Sequence, residues 1–205
     1  MFEPRLISET AEWLVVDKPA GFLSIPGRGE GQVLIDWVRA RDPDALVVHR
    51  LDRETSGVIL FARTADAHRK AGIWFQRHEV RKFYDCLALG SSALPTFRVD
   101  EPIEGQPSRT QFEVKARYAD AFLAQAMPTT GRRHQIRKHL ASKGHPILGD
   151  REYRGPDEVA GVRVARVALH ARRLELPSGE KFEAAWPEDF ARWVSELAAA
   201  AGSAP

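Results

Sequence analysis

Cysteine is almost absent from this sequence: Cys86 is the only one in 205 residues. One thiol cannot form an intrachain disulfide, and its isolation points to a reducing compartment and excludes a Cys-based zinc cluster. Long apolar runs are also missing, and none approaches the roughly 20 residues needed to span a bilayer. The opening Met1-Phe2-Glu3-Pro4-Arg5 lacks the basic-then-apolar order of a secretory signal. There is no phosphate-cradling G-x-x-x-x-G-K loop, no internal repeat and no low-complexity linker. The expectation is a cytoplasmic, water-soluble protein with no membrane contact.

What is present is ordinary for a globular chain: 43% hydrophobic and 28% charged residues, net charge +2. At this length one domain over 1–205 is expected, with residues from about 201 disordered. The charge is unevenly spread. Between Gly131 and Arg173 eleven Lys/Arg face four Asp/Glu, a surplus of seven, so the remainder of the chain carries −5. A basic block on a near-neutral protein suits a polyanion such as RNA, although Lys and Arg also decorate any solvated helix.

The pattern of elements mixes strands and helices without a βαβ rhythm, which argues for an α+β fold with a mainly antiparallel central sheet flanked by helices. Trp13–Val16 and Val58–Ala62 read as strands, as do Lys82–Leu89, Arg109–Tyr118, Ala121–Met127, Val162–Leu176 and Lys181–Trp186. Helices are predicted at Gln32–Arg41, at Ala65–Arg77 behind a Thr64 cap, at His134–Lys143 and at Glu188–Ala200.

Three stretches carry chemistry. In His49-Arg50-Leu51-Asp52-Arg53-Glu54-Thr55-Ser56-Gly57, a lone acid sits between two arginines directly before a buried strand. Its positive surroundings favour the ionised carboxylate, which can serve as nucleophile or base; a plain surface turn is the competing reading. In Lys82-Phe83-Tyr84-Asp85, alternation turns Tyr84 away from Phe83 and Asp85. It can stack on a base and offer its phenol for proton transfer, or it is an ordinary core tyrosine. In Thr130-Gly131-Arg132-Arg133-His134-Gln135-Ile136-Arg137-Lys138, Arg133 and Arg137 fall four apart on one predicted helix face, a spacing that can hold phosphate. The histidines 49, 134, 139, 145 and 170 match no zinc spacing, so no metal is expected.

Together these stretches resemble the RNA pseudouridine synthases of the RluA family. The opening DKPAGFLSIPGRGE, the Arg-Leu-Asp and Thr-Ser-Gly of 49–64, the Lys-x-Tyr of 82–90, and Thr-Gly-Arg-x-His-Gln-Ile-Arg continued by His145–Asp150 and Tyr153 occur in the family's order. Cys86 stands where the family often has Ala, and Arg133 and Lys138 replace residues that are usually Thr/Ser and Val. No S4 RNA-binding domain precedes the first block, so the resemblance is to a short form.

The resemblance implies a cofactor-independent isomerase that flips a uridine of rRNA or tRNA out of its stack and converts it to pseudouridine. It assigns Asp52 as the catalytic carboxylate, Arg137 as the cation paired with it, and Tyr84 as the residue stacked on the flipped uracil. Arg50 would fill the gap left by the base. Leu169 would line the pocket floor, although a plain core leucine looks the same. His49, Thr55, Arg132, Arg133, His134 and Gln135 would contact substrate. Pro102-Ile103 runs almost directly into Gln106–Thr110, where the family usually carries a longer insert, which alters or narrows the target. A monomer is expected, since no surplus apolar helix face stands out. Two other classes stay open: an inert RNA-binding or RNA-folding protein on the same scaffold, and a hydrolase, for which Glu54 would have to be the second carboxylate.

Overall fold

The computed structural model describes residues 3–27 and 31–202. Arg28–Glu30 of the opening block and Ser203–Pro205 of the expected disordered tail lie outside the described residues. In chain order the strands and helices are β1 (Arg5–Glu9), β2 (Trp13–Lys18), α1 (Leu34–Arg39), β3 (Leu46–Val47), β4 (Ser56–Ala62), α2 (Ala65–Gln76), β5 (Arg81–Leu89), β6 (Thr96–Val99), β7 (Thr110–Arg117), β8 (Ala121–Pro128), α3 (Gln135–Ser142), β9 (Glu158–Val159), β10 (Val162–Arg163), β11 (Leu169–Glu175), β12 (Lys181–Glu183) and α4 (Glu188–Gly202). The expected α+β class holds, and every strand pairing described below is antiparallel. Ala201 and Gly202, expected in a loose tail, close α4 instead.

The chain divides into two compact units, Met1–Lys82 with Ala171–Ala185, and Phe83–His170 with Trp186–Pro205. In the first, β4 is buried along its whole length, as its unbroken apolar run requires. It pairs with β2 in the register Trp13↔Ala62 to Lys18↔Gly57, and β1 lies outside β2. Helix α2 forms because Thr64 accepts the Ala67 N–H at 3.1 Å, as a good N-cap does, and its Ala67 and Ala71 face the core. That core joins Trp13, Val15, Val58, Leu60, Leu174 and Phe182.

In the second unit the strand order is β5-β8-β7-β6. The turn at Ala119-Asp120 joins β7 to β8, with Tyr118 donating to the Ala121 carbonyl. Phe112, Phe122, Leu140, Leu148, Phe190 and Trp193 fill a core against which α3 and α4 lay their apolar faces. The segment Val162–Leu176, expected as one strand, is two. Between β10 and β11 the buried Val164 and Ala168 bond to the irregular backbone of Asp157 and Leu148, so burial alternates there without a ladder. No described helix is long and apolar enough to cross a membrane.

Candidate active site

In the first unit the sequence brings His49, Arg50, Asp52 and Thr55 together on the loop between β3 and β4. The loop starts where the β3–β4 ladder stops. Leu46 and Val47 pair with Ala62 and Phe61. The chain then leaves the sheet, and the His49 ring takes the vacated place: its Nε2 accepts the Leu60 N–H at 3.0 Å. That bond requires a bare Nε2. Burial, aided by the Lys82 ammonium, pushes the His49 pKa down to about 3 and keeps the ring neutral. Phe75 stacks on it, with centroids 5.0 Å apart. The ring expected to contact substrate is thus committed to holding the loop.

The backbone around Asp52 is pinned on both sides. The Ser24 hydroxyl accepts from Leu51 N at 3.0 Å and donates to Leu51 O at 2.7 Å. The Arg53 carbonyl accepts Gly21 N at 2.8 Å and Lys18 Nζ at 3.1 Å. Thr55 N closes the turn onto Asp52 O at 3.1 Å. Lys18, fully buried, also donates to the carbonyls of Pro19 and Phe22 at 3.1 and 2.9 Å, which ties the opening block to the Asp52 loop. Asp52 is half-buried between exposed Arg50 and Arg53 in the sequence, while Thr55 is buried. This is a carboxylate on an over-determined loop, as a residue held in one reactive pose needs. Lys18 and Ser24 escaped the sequence reading; the DKPAG block was the available signal.

The second unit holds the remaining candidates. Tyr84, half-buried on β5 opposite Ala126, packs against the core, while Phe83 and Asp85 turn the other way as alternation predicts. Leu169 is 3% exposed within the core, which is what a plain core leucine shows.

Helix α3 begins at Gln135, so Arg133 lies before it. The expected i,i+4 phosphate face is therefore not built; Arg133 is exposed and Arg137 is buried. Gln135 is also turned inward. Its carbonyl accepts from Thr130 Oγ1 at 2.6 Å and from Arg132 N at 3.0 Å, and its amide donates to Arg109 O at 2.9 Å and Thr110 Oγ1 at 3.0 Å. Every polar position of that side chain is spent within the protein, which contradicts its assignment as a substrate contact. Arg132 is half-buried, its Nε 3.4 Å from Pro107 O.

His134 sits at the helix N-cap in the left-handed region, φ +56°, and aims its ring at Tyr153, whose hydroxyl is 3.0 Å from Nδ1. Arg137 forms a bidentate pair with Asp150, Nε to Oδ2 at 2.6 Å and Nη2 to Oδ1 at 2.8 Å. Its Nη2 also reaches Glu152 Oε2 at 3.0 Å. Neither acid was predicted as a partner of Arg137, because partners 13 and 15 residues away have no local signature. Among the described residues no group of three or more His, Cys, Asp or Glu is placed to hold a metal ion.

The arrangement defines an α+β protein with a pinned carboxylate loop in one unit and an Arg-centred cluster in the other. A solved human structure, RNA Pseudouridylate Synthase Domain Containing 4, shares the fold: TM-score 0.83 at 22% identity, covering 94% of this chain and 92% of that one. The family model for RNA pseudouridylate synthase matches residues 12–142. Ribosomal large subunit pseudouridine synthase C of Vibrio cholerae is 34% identical over 87% of this chain, and its Escherichia coli counterpart 34% over 94%. The Dual-specificity RNA pseudouridine synthase RluA of Escherichia coli is 36% identical over 80% of this chain and 82% of its own length. The chain belongs to the RNA pseudouridylate synthase family. It spans 64% of the length of the Vibrio cholerae relative and 69% of the Escherichia coli synthase C.

Proposed function

We propose that the protein isomerises uridine to pseudouridine within RNA, with Asp52 as the carboxylate that opens the reaction. The observation that carries this reading is the Asp52 loop: its backbone is fixed at Leu51, Asp52 and Arg53, and Asp52 itself is only half-buried, in a chain of this family. The reaction breaks N1–C1′ and forms C5–C1′. The C5 hydrogen leaves as a proton and N1 ends carrying one, so neither a redox agent nor a nucleotide cofactor is consumed. Asp52 serves as nucleophile at C1′ or C6, or as base toward the sugar.

In this reading Tyr84 stacks on the flipped uracil, worth about 1–3 kcal/mol per base. Arg50 occupies the gap left in the RNA, and Arg137 pairs with Asp52. Exposed Arg133 and half-buried Arg132 and Lys138 supply phosphate contacts. The names of the relatives point to large-subunit rRNA, and that of RluA to a second RNA class, with tRNA the candidate; both belong to a monomeric, cytoplasmic enzyme. The test is tritium release from transcripts carrying [5-³H]uridine incubated with the protein alone, because forming the C5–C1′ bond expels that atom. Wild type should release tritium from large-subunit rRNA or tRNA transcripts and Asp52→Asn should not. Equal release from both proteins, or RNA binding with none from wild type, would refute the reading and favour an inert RNA-binding protein.

A further inference from the structure

We infer that Asp150, assisted by Glu152, is a positioning residue for this reaction: it fixes the Arg137 guanidinium in one pose. The inference rests on the proposed role of Arg137. An arginine that merely screens phosphate is mobile and solvated, and this one is neither. Its side chain is 7% exposed and that of Asp150 0%. The fork of Nε and Nη2 meets both carboxylate oxygens of Asp150, and Glu152 takes the second Nη2 hydrogen. A guanidinium gripped on that edge cannot rotate about Cδ–Nε, so the direction of its remaining N–H bonds is fixed.

The other face is also held. The guanidinium carbon lies 4.9 Å from the centroid of the Tyr153 ring, and His134 anchors the Tyr153 hydroxyl. Asp150 is itself tied to the backbone that follows it. Its carboxylate accepts Tyr153 N at 3.3 Å, and its carbonyl accepts Tyr153 N at 3.1 Å and Gly155 N at 2.7 Å. The result is an oriented cation whose charge is already balanced by two acids, suited to aiming hydrogen bonds and poorly suited to collecting phosphate.

The experiment uses whichever transcript wild type converts. Single-turnover tritium release gives the rate, and fluorescence anisotropy with the same RNA gives the affinity. Asp150→Asn keeps shape and removes charge; the rate should fall about 10- to 100-fold, the scale of a misplaced reacting group, with affinity within twofold of wild type. Glu152→Gln, at a 53% exposed site that touches Arg137 and, at 3.3 Å, His134, should fold normally and lower the rate about threefold or more at unchanged affinity. Circular dichroism shows which variants fold. A folded Asp150→Asn at the wild-type rate would overturn the inference, as would a rate loss matched by an equal loss of affinity. If Asp150→Asn does not fold, Glu152→Gln decides, and its wild-type rate would overturn it. A wild-type protein that releases no tritium removes the proposed function, and this inference with it, and that control separates the two failures.

Discussion

Replacing Gly57 by alanine probes the floor of the Asp52 loop with a single added carbon. Gly57 is the second residue of β4, opposite Lys18, with φ +112°. A Cβ there would stand 2.2 Å from Ala171 O, 2.7 Å from Ala171 C and 2.8 Å from Ala171 N. All three are backbone atoms of β11, so no rotamer change relieves the overlap and one strand must move. The positive φ alone costs about 1–3 kcal/mol for a non-glycine residue, and forcing a methyl into packed structure adds about 1–3 kcal/mol. Gly179 separates the two contributions: its φ is +102°, and an added Cβ meets nothing within 4 Å. Gly179→Ala should therefore show strain only. At about 2–4 °C per kcal/mol for a chain of this size, Gly57→Ala should melt about 2–12 °C below Gly179→Ala in parallel circular-dichroism melts. Because Thr55, two residues earlier, closes the turn on Asp52, its activity should fall as well. Melting within 1 °C of Gly179→Ala would refute the packing argument.

Three further outcomes are expected. The fold keeps His49 neutral down to about pH 3, whereas an ordinary histidine titrates near 6.5, so its contribution is complete above about 6.5 and is lost as pH falls toward 3. His139, lowered by burial, acts in the same direction, so His49→Gln should reduce the acid loss of the urea midpoint between pH 7 and 4.5 without abolishing it; parallel curves would contradict the ring's assignment. Gln135→Ala leaves Arg132 N and Arg109 O without their side-chain partner and should cost about 2–4 kcal/mol in urea unfolding. Arg133→Ala, at an exposed site, should change stability by under about 0.5 kcal/mol and lower the salt dependence of RNA binding by about one phosphate contact.

Local signals carried much of this fold. The unbroken apolar run of β4, the alternation of β5, β7 and β8, and the Thr64 cap of α2 each determine an element from its own residues. The short strands β1 and β6 were not legible. Each lies at an end of its unit's strand order and is only partly buried, so it lacks the apolar alternation that marks a strand. The site was legible as a set of residue types and less so as a set of roles. Asp52 stands out as an acid flanked by Arg50 and Arg53 just before a core strand. Nothing local distinguishes a glutamine that binds RNA from one that ties four groups of its own chain together, as Gln135 does. Likewise Arg137 reads as a helix-face cation until Asp150 and Glu152 come to it through tertiary structure.

The measurement that bears most directly on the central claim is a pseudouridine map of cellular RNA, made by carbodiimide labelling and reverse-transcription stops. It compares cells lacking this protein with cells rescued by wild type or by Asp52→Ala. A stop in rRNA or tRNA that returns with wild type and stays absent with Asp52→Ala is the predicted result, and it names the target uridine. A stop restored equally by Asp52→Ala, or a map unchanged by removing the protein, would contradict the account.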